Sequence, residues 1–196
     1  MTLIIKRAII VDLPTTFGNF QLALYTNNLD KKEHLAIIKG DIDTLDNSLV
    51  RIHSECFTGD VLHSLRCDCG DQLRIALMQI EKAQAGIIIY LRQEGRGIGL
   101  LNKLRSYQLQ QQGIDTYDAN IQLGFAADLR DYSIAALILK DLHVSKIKIM
   151  TNNPQKISQL EANGIIISSR EPLITNPVCE NIDYINTKKN KFGHYL

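Results

Sequence analysis

The sequence predicts an α/β protein with a mixed sheet and flanking helices, in one domain over residues 1–196. Its composition is that of an ordinary globular protein, with 45% hydrophobic and 22% charged residues. Its length suffices for one well-buried core. The first third contains short apolar segments between turn-rich stretches, which is typical of antiparallel strands. The second half alternates strand and helix patterns in a βαβ-like order.

Four strands are predicted in the first third, over residues 4–11, 21–25, 35–38 and 48–55. The last of them alternates, with Val50 and Ile52 on one face and Arg51, His53 and Glu55 on the other. One face of this strand therefore belongs to the core, and the other offers polar side chains.

The rest of the chain predicts helices and strands in turn. Residues 71–84 form an amphipathic pattern, in which Leu73, Leu77, Ile80 and Gln84 are spaced by three or four. The continuous apolar run 86–91 is typical of a central strand that is covered on both faces. Further helices are predicted over about 100–112, from Asp131 or Ser133 to 142, and over 154–163, and further strands over 146–150 and 165–168.

Charge and hydropathy argue against two classes of partner. The formal net charge is +1, too small for a protein that binds nucleic acid over its whole surface. No apolar run approaches the length of a membrane span, and the N-terminus lacks the layout of a signal peptide. The four cysteines do not suggest a disulfide scaffold. We therefore expect a cytoplasmic protein with no nucleic-acid and no membrane partner.

Cys56, Cys67 and Cys69 form the most informative pattern in the chain. Three thiolates around one Zn²⁺ leave the fourth tetrahedral position open, as in catalytic rather than structural zinc sites. Zinc lowers the pKa of a water in that position and so supplies hydroxide near neutral pH. The polar, glycine-rich surroundings favour this interpretation over three buried apolar cysteines. The pattern predicts one zinc ion per chain.

Other residues near these cysteines and near the end of the chain leave alternatives open. His53 or His63 could supply a fourth ligand and close the zinc site. Cys179 lies far away in sequence and is most simply a core residue. The lysine-rich segment 188–191 is most simply a solvated tail.

Segment 92–99 connects the apolar strand to the next helix and contains three glycines at alternate positions. Glycines let a backbone approach a ligand closely, and a helix N-terminus offers its amides to an anion. Arg92 and Arg96 could add bidentate contacts to a phosphate or a carboxylate. The spacing is not the dinucleotide fingerprint, and the Walker lysine is absent. A phosphate site and a simple tight turn both fit this segment.

Segment 151–156 repeats this strand-to-helix arrangement. Asn153 can cap the helix, and Pro154 takes its first position. Lys156 lies in the first turn, where a lysine opposes the helix dipole unless an anion is bound. This misfit favours a phosphate partner, although an ordinary capped helix with a solvated lysine also fits.

Asp128 and Arg130 lie in a polar interruption before a predicted helix. Asp128 could act as a general base, and Arg130 could stabilise a developing phosphate charge. A surface ion pair at a helix start is the alternative.

Taken together, these segments resemble GTP cyclohydrolase II, and the resemblance covers nearly the whole chain, from residue 13 to residue 194. It rests on long ungapped motifs at residues 51–60, 65–70, 92–100, 118–120 and 151–154. Some family members are fused to a second domain, dihydroxybutanone phosphate synthase. The chain is too short to contain that domain, so the resemblance implies the stand-alone form.

The resemblance implies hydrolysis of GTP to 2,5-diamino-6-(5-phosphoribosylamino)pyrimidin-4(3H)-one, formate and diphosphate, the first step of riboflavin biosynthesis. It implies Asp128 as proton acceptor, Arg130 as nucleophile at the α-phosphate and Tyr107 as a further active-site residue. A guanidinium stays protonated in proteins, so stabilising the transition-state charge is a less demanding role for Arg130. The implied zinc ligands are Cys56, Cys67 and Cys69, and the implied GTP contacts are Arg51, Ile52, His53, Ser54, Glu55, Gln72, Glu94, Gly95, Arg96, Thr116, Thr151 and Lys156.

The family also suggests a homodimer. Mg²⁺ is expected on the triphosphate, because diphosphate is a poor leaving group without charge neutralisation. Two rival functions stay open, namely an enzyme that completes only part of the reaction and a zinc-stabilised nucleotide-binding regulator without turnover. The presence of Asp128, Arg130 and Tyr107 beside intact cysteines argues against the regulator, because a pure binder has no need for them.

Overall fold

The structure is a computed structural model that describes residues 2–196, and within this range it contains one mixed sheet of seven strands. The sheet confirms the predicted α/β class. Its strands are β1 (Ile5–Thr15), β2 (Gly18–Asn27), β3 (His34–Lys39), β4 (Leu49–Ser54), β5 (Gly86–Leu91), β6 (Lys146–Met150) and β7 (Ile166–Glu171), in the spatial order β1-β2-β3-β5-β4-β6-β7.

The sheet changes from antiparallel to parallel at β5. Strands β1, β2, β3 and β5 pair antiparallel, and Leu35 lies opposite Tyr90. Strands β5, β4, β6 and β7 pair parallel, and Ser54 lies opposite Leu91. The antiparallel N-terminal third and the βαβ-like second half are thus confirmed. Since the carboxyl ends of parallel strands meet at one edge, the segments after β4, β5 and β6 converge there.

Helices flank the sheet. Helices are present at all four predicted places, 71–84, 100–112, from 131 or 133 to 142, and 154–163, and their ends differ from the predicted ones by at most two residues. The α-helices within residues 2–196 are α1 (Phe57–Asp60), α2 (Cys69–Ala83), α3 (Gly99–Gln110), α4 (Thr116–Gln122), α5 (Ser133–Asp141), α6 (Pro154–Ala162) and α7 (Ile182–Phe192). None of them is long and apolar enough to cross a bilayer.

Apolar side chains pack against both faces of β5, as the continuous apolar run predicts. Ile87 and Ile89 belong to the larger core, which also contains side chains of α5 and α6. Ile88 points to the opposite face and packs with Ala76 and Ile80 of α2. Each of these isoleucines is fully buried, and such burial contributes about 1.5–3 kcal/mol. The two cores fix β5 at the centre of the sheet.

The predicted face of α2 is confirmed in part, since Ile80 is buried and Leu73 and Leu77 pack against the smaller core. Its buried residues are Gln72, Ala76 and Ile80, whereas Leu77 is only partly buried and Gln84 is the left-handed residue that ends the helix. Periodicity of apolar residues could not reveal this face, because a hydrogen-bonded glutamine occupies one of its buried positions. The short helix α1 and helices α4 and α7 were not predicted either.

Candidate active site

A pocket opens at the carboxyl edge of β4, β5 and β6. It brings together residues that are far apart in sequence but were predicted to share one site. The predicted site residues that line it are Arg51, His53, Ser54, Glu55, Cys56, Cys67, Cys69, Gln72, Glu94, Gly95, Arg96, Tyr107, Thr116, Arg130, Thr151 and Lys156.

Two predicted site residues lie outside this lining. The side chain of Ile52 is fully buried in the larger core, and only its carbonyl oxygen faces the site, where it accepts a hydrogen bond from Lys156 Nζ at 2.7 Å. Asp128 lies behind the pocket wall, where it pairs with Arg130. Ile52 therefore contacts the pocket through Lys156, and Asp128 contacts it through Arg130.

The sulfur atoms of Cys56, Cys67 and Cys69 lie within 4.8 Å of one another. Cys56 immediately precedes α1, and Cys69 begins α2. Gly59 closes the third side, since a Cβ there would lie 2.9 Å from Cys67 Sγ and 3.1 Å from Cys56 Sγ. The three sulfurs can therefore hold a metal ion together, in a cradle that a larger residue at position 59 would fill.

The three thiols influence one another strongly. Hydrogen bonds from the Cys67 and Cys69 thiols, with the charge of Lys103, hold the pKa of Cys56 far below its usual value. The hydrogen bond with Cys56 raises the pKa of Cys67 to about 11, and the same partnership raises the pKa of Cys69. Lys103 Nζ lies 3.0 Å from Cys56 Sγ. The cluster thus favours thiolate at Cys56, the form that binds metals.

No histidine joins the cysteine cluster within residues 2–196. His53 is buried, and its Nε2 lies 3.0 Å from the Asp60 carboxylate. Asp60 also accepts hydrogen bonds from Tyr90 Oη at 2.8 Å and from the Cys56 amide at 3.0 Å. His63 is exposed. His53 therefore supports the backbone at Cys56, and the three-cysteine set keeps a position open.

A buried polar chain connects β4 to the cysteine loop. Arg51 donates to Gln72 Oε1 at 2.6 Å and to the Met150 carbonyl at 3.0 Å. Gln72 in turn donates to Asp68 Oδ2 at 2.7 Å. Burial lowers the pKa of Arg51 to about 10, so the guanidinium stays protonated at neutral pH. Its Nε is buried and has no hydrogen-bond partner within residues 2–196.

The glycine-rich segment forms a left-handed turn before α3. Gly95 and Arg96 have φ of 63° and 60°, and a non-glycine residue in this region is strained. The Glu94 carboxylate holds the turn by accepting from Gly95 N at 2.9 Å, Phe57 N at 2.6 Å and Lys103 Nζ at 2.7 Å. The guanidinium of Arg96 then stacks on the Phe192 ring, with 4.4 Å from Cζ to the ring centroid.

Arg130 and Asp128 form a two-point ion pair. Arg130 Nε donates to Asp128 Oδ1 at 2.8 Å, and its NH2 donates to Oδ2 at 2.5 Å. Burial by itself raises the pKa of Asp128, but the hydrogen bonds and charge of Arg130 bring that pKa below its usual value. Asp128 is therefore ionised and must part from Arg130 to take a proton. The alternative of a surface pair is wrong, because both side chains are nearly buried, with 13% and 11% exposed.

Lys156 is buried rather than solvated, so the interpretation as an ordinary exposed lysine is wrong. Its ammonium donates to the Ile52 carbonyl and has Arg51 and Arg130 as cationic neighbours. Burial and these two charges lower the pKa of Lys156 well below its usual value. His194 lies near these cations and is itself neutral, because burial and the nearby positive charges lower its pKa to about 3. The pocket thus concentrates positive potential where an anion is needed.

Tyr107 and Thr151 both line the pocket. Tyr107 Oη is 3.1 Å from Thr58 Oγ1, and Thr58 Oγ1 is 3.7 Å from Cys56 Sγ. Tyr107 is thus connected to the cysteine cluster through the Thr58 hydroxyl. Thr151 Oγ1 accepts from the Asn153 amide at 3.1 Å and shapes the turn into α6.

Several lining residues escaped the sequence interpretation, among them Lys103, Asn120, Tyr184, Lys188, Phe192 and His194. Lys188 contradicts the solvated tail, because it is buried and pairs with Asp68. Cys179 contradicts the expected core position, because it is exposed. The one sequence signal for Lys103 as a site residue is its position in α3, one turn after Gly99 of the glycine-rich segment.

Most of the chain is similar to known proteins. The family model described as GTP cyclohydrolase II matches residues 6–172. Riboflavin biosynthesis protein RibBA of Bacillus cytotoxicus is 55% identical over 192 residues, which are 98% of this chain and 48% of the relative. RibBA of Bacillus cereus is 54% identical over 193 residues, or 98% of this chain and 49% of the relative. The chain thus spans about half the length of the curated relatives it matches.

Proposed function

The chain belongs to the GTP cyclohydrolase II family, and we propose that it hydrolyses GTP to 2,5-diamino-6-(5-phosphoribosylamino)pyrimidin-4(3H)-one, formate and diphosphate, the first step of riboflavin biosynthesis. The observation that carries this proposal is the convergence of two features in one pocket. A three-cysteine cluster lies at one side, and buried cations, including Arg130 and Lys156, lie at the other. A substrate with a reactive ring and a polyphosphate needs both.

Cys56, Cys67 and Cys69 are the residues that would hold zinc. Their soft sulfur donors, short mutual distances and glycine-lined cradle fit a zinc ion, one per chain. When bound, zinc would supply hydroxide near neutral pH for attack on the guanine ring. Lys103 beside Cys56 offsets part of the negative charge of three thiolates.

The phosphate end of GTP is assigned to the cations of the pocket. Lys156, Arg96 and Arg130 can bind the triphosphate, and Mg²⁺ on the triphosphate would neutralise the departing diphosphate. We assign Arg130 to electrostatic stabilisation of the α-phosphate transition state rather than to nucleophilic attack. The Asp128 partnership and Tyr132 raise the pKa of Arg130 against the effect of burial, so it stays protonated.

Asp128 is the proposed proton acceptor, and substrate phosphate can replace it as the partner of Arg130. The freed carboxylate would then be buried beside the pocket with a higher affinity for a proton. Tyr107 is the proposed hydroxyl beside the reacting ring. Reading of guanine by Glu94 stays a prediction, and its carboxylate would first have to release one of the three donors it now holds.

The remaining GTP contacts belong to the same proposal. They are Arg51, Ile52 through its carbonyl, His53, Ser54, Glu55, Gln72, Gly95, Thr116 and Thr151. A homodimer, a cytoplasmic location and a single domain over residues 1–196 are further parts of it, and they rest on the family resemblance and the composition.

The decisive experiment is to incubate the purified zinc-loaded protein with GTP and Mg²⁺ and to identify the products by mass spectrometry. The expected products are formate, diphosphate and the diaminopyrimidine phosphate in equal amounts. A product that keeps the formyl group or the diphosphate would instead indicate an enzyme that completes only part of the reaction. Unchanged GTP bound to the protein would indicate a regulator.

A matched pair of variants tests the metal assignment. Cys67→Ser should lose most of the bound zinc, whereas Cys179→Ser should keep one zinc per chain, because Cys179 is exposed and lies apart from the cluster. Zinc content is measured by elemental analysis. Full retention in Cys67→Ser would contradict a three-thiolate site.

A further inference from the structure

One wall of the pocket comes from the last part of the chain, beyond the residues 6–172 that the family model matches. Tyr184, Lys188 and Phe192 of α7, together with His194, line this wall. The sequence pattern of residues 188–191 predicts a solvated tail. Lys188 is instead buried and contacts Asp68, which lies between two of the cysteines.

Lys188 points from α7 into the loop between the cysteines. Its Nζ lies 2.5 Å from Asp68 Oδ1, and the two residues are 8% and 1% exposed. Asp68 stands between Cys67 and Cys69, and its other oxygen accepts from Gln72 Nε2 at 2.7 Å. The Asp68 carboxylate is therefore held by the Lys188 ammonium and the Gln72 side-chain amide, which are both buried.

Other contacts hold α7 in place independently of this pair. The Tyr195 amide donates to the Asn152 carbonyl at 2.9 Å. Lys191 Nζ lies 2.6 Å from Asp115 Oδ2 and 2.9 Å from Asp118 Oδ2. The Phe192 ring covers the Arg96 guanidinium. Lys188 thus projects from a helix that is fixed at its C-terminal end, which gives its ammonium a defined position.

We propose that Lys188 is a positioning residue for the cysteine cluster, which fixes the Cys67–Cys69 turn through its ion pair with Asp68. The proposal rests on the proposed function in one respect, namely that the cluster binds zinc. A buried carboxylate without its cation is strongly unfavourable, so loss of Lys188 forces the turn to move toward solvent. Groups that orient metal ligands typically affect metal affinity about 10- to 100-fold.

The main test compares Lys188→Met with Lys189→Met, which changes an exposed lysine one position further on the same helix. Zinc affinity is measured by competition with a chelator, and amide hydrogen exchange of residues 66–72 is measured in the metal-free protein. Lys188→Met should lower zinc affinity about 10- to 100-fold and should speed exchange in this segment. Lys188→Arg, which keeps the charge, should restore most of both, and Lys189→Met should change neither.

Two further outcomes decide whether Lys188 acts through Asp68. In Asp68→Asn with Lys188→Met, neither charge is left unpaired, so this protein tests the idea even if Lys188→Met does not fold. The zinc affinity of this double variant should equal or exceed that of Asp68→Asn alone. Multiplication of the two effects in the double variant, or wild-type zinc affinity in folded Lys188→Met, would overturn the proposal.

Failure of the proposed function gives a different result. A wild-type protein that releases no formate from GTP, or binds no zinc, refutes that function. Hydrogen exchange of residues 66–72 in the metal-free variants still decides the role of Lys188, since it needs neither metal nor substrate. Unchanged exchange in folded Lys188→Met would refute the positioning role whatever the activity.

Discussion

At Lys156 a positive charge is buried before any anion is present. Because its pKa is lowered in the folded state, the unfolded chain binds more protons between the depressed pKa and the unfolded value near ~10.4. This residue's contribution to stability therefore rises with pH across that window and is unfavourable below it. The site keeps an unfavourable charge because the substrate needs it.

Lys156→Met should therefore stabilise the protein without ligand and weaken its binding of GTP. At neutral pH we expect the melting temperature to rise by about 2–4 °C for each ~1 kcal/mol of relieved burial. The affinity for a non-hydrolysable GTP analogue should fall about tenfold or more. The control is Lys32→Met at an exposed position, which should change neither quantity. A destabilised Lys156→Met protein that binds the analogue normally would contradict this account.

The same lysine should make binding depend on pH. Only the protonated ammonium attracts phosphate, so affinity should fall as pH rises through its depressed pKa. The dissociation constant of the analogue is measured from pH 7 to pH 9 in wild type and in Lys156→Met. The dissociation constant should depend less on pH in Lys156→Met than in wild type. An equal pH dependence in both proteins would assign the effect to another group.

The cysteines and Arg130 serve opposite ends of the substrate, so their losses should be separable. Cys69→Ser should abolish formate release while some diphosphate release remains. Arg130→Ala should abolish diphosphate release, and Arg130→Lys, which keeps a cation beside Asp128, shows whether charge alone suffices. Formate and diphosphate are measured separately in each variant. Formate release from zinc-free Cys69→Ser would break this division.

At the scale of the elements, the short helix α1 matters because of one glycine. A methyl group at Gly59 would meet the sulfurs of Cys67 and Cys56. Gly59→Ala should therefore weaken zinc binding at least tenfold, a loss of the size known for changes beside metal ligands. The control is Gly113→Ala, which meets open space and costs about 1 kcal/mol of stability through its backbone conformation alone. Chelator competition measures the first effect and thermal unfolding the second.

Strand β5 and helix α7 show what sequence could and could not predict. The apolar run in β5 predicted a central strand, because burial on both faces leaves a signal in composition. Helix α7 contains three lysines, and the one that is buried pairs with a partner 120 positions away. No local pattern contains that partner. The cysteines were predicted because their spacing is local, and Lys188 was not because its role is tertiary.

At the scale of the molecule, the net charge of +1 conceals a strongly cationic pocket. Charges buried around one ligand act over short distances, and acidic side chains outnumber basic ones in the rest of the molecule. Affinity for the GTP analogue should therefore fall as salt rises from 0.05 to 0.5 M, roughly the range over which screening tightens severalfold. Affinity for guanosine should stay constant. Equal salt dependence for both ligands would argue against a phosphate site in this pocket.

The cradle around Cys56, Cys67 and Cys69 is held by packing that does not involve a metal, namely by Gly59, Asp60 and the start of α2. Such a cradle admits an ion without first having to fold around it. Sulfur donors also prefer soft ions, and a preformed cage has no folding step with which to reject them. Cadmium or copper(I) is therefore expected to compete with zinc for these three sulfurs.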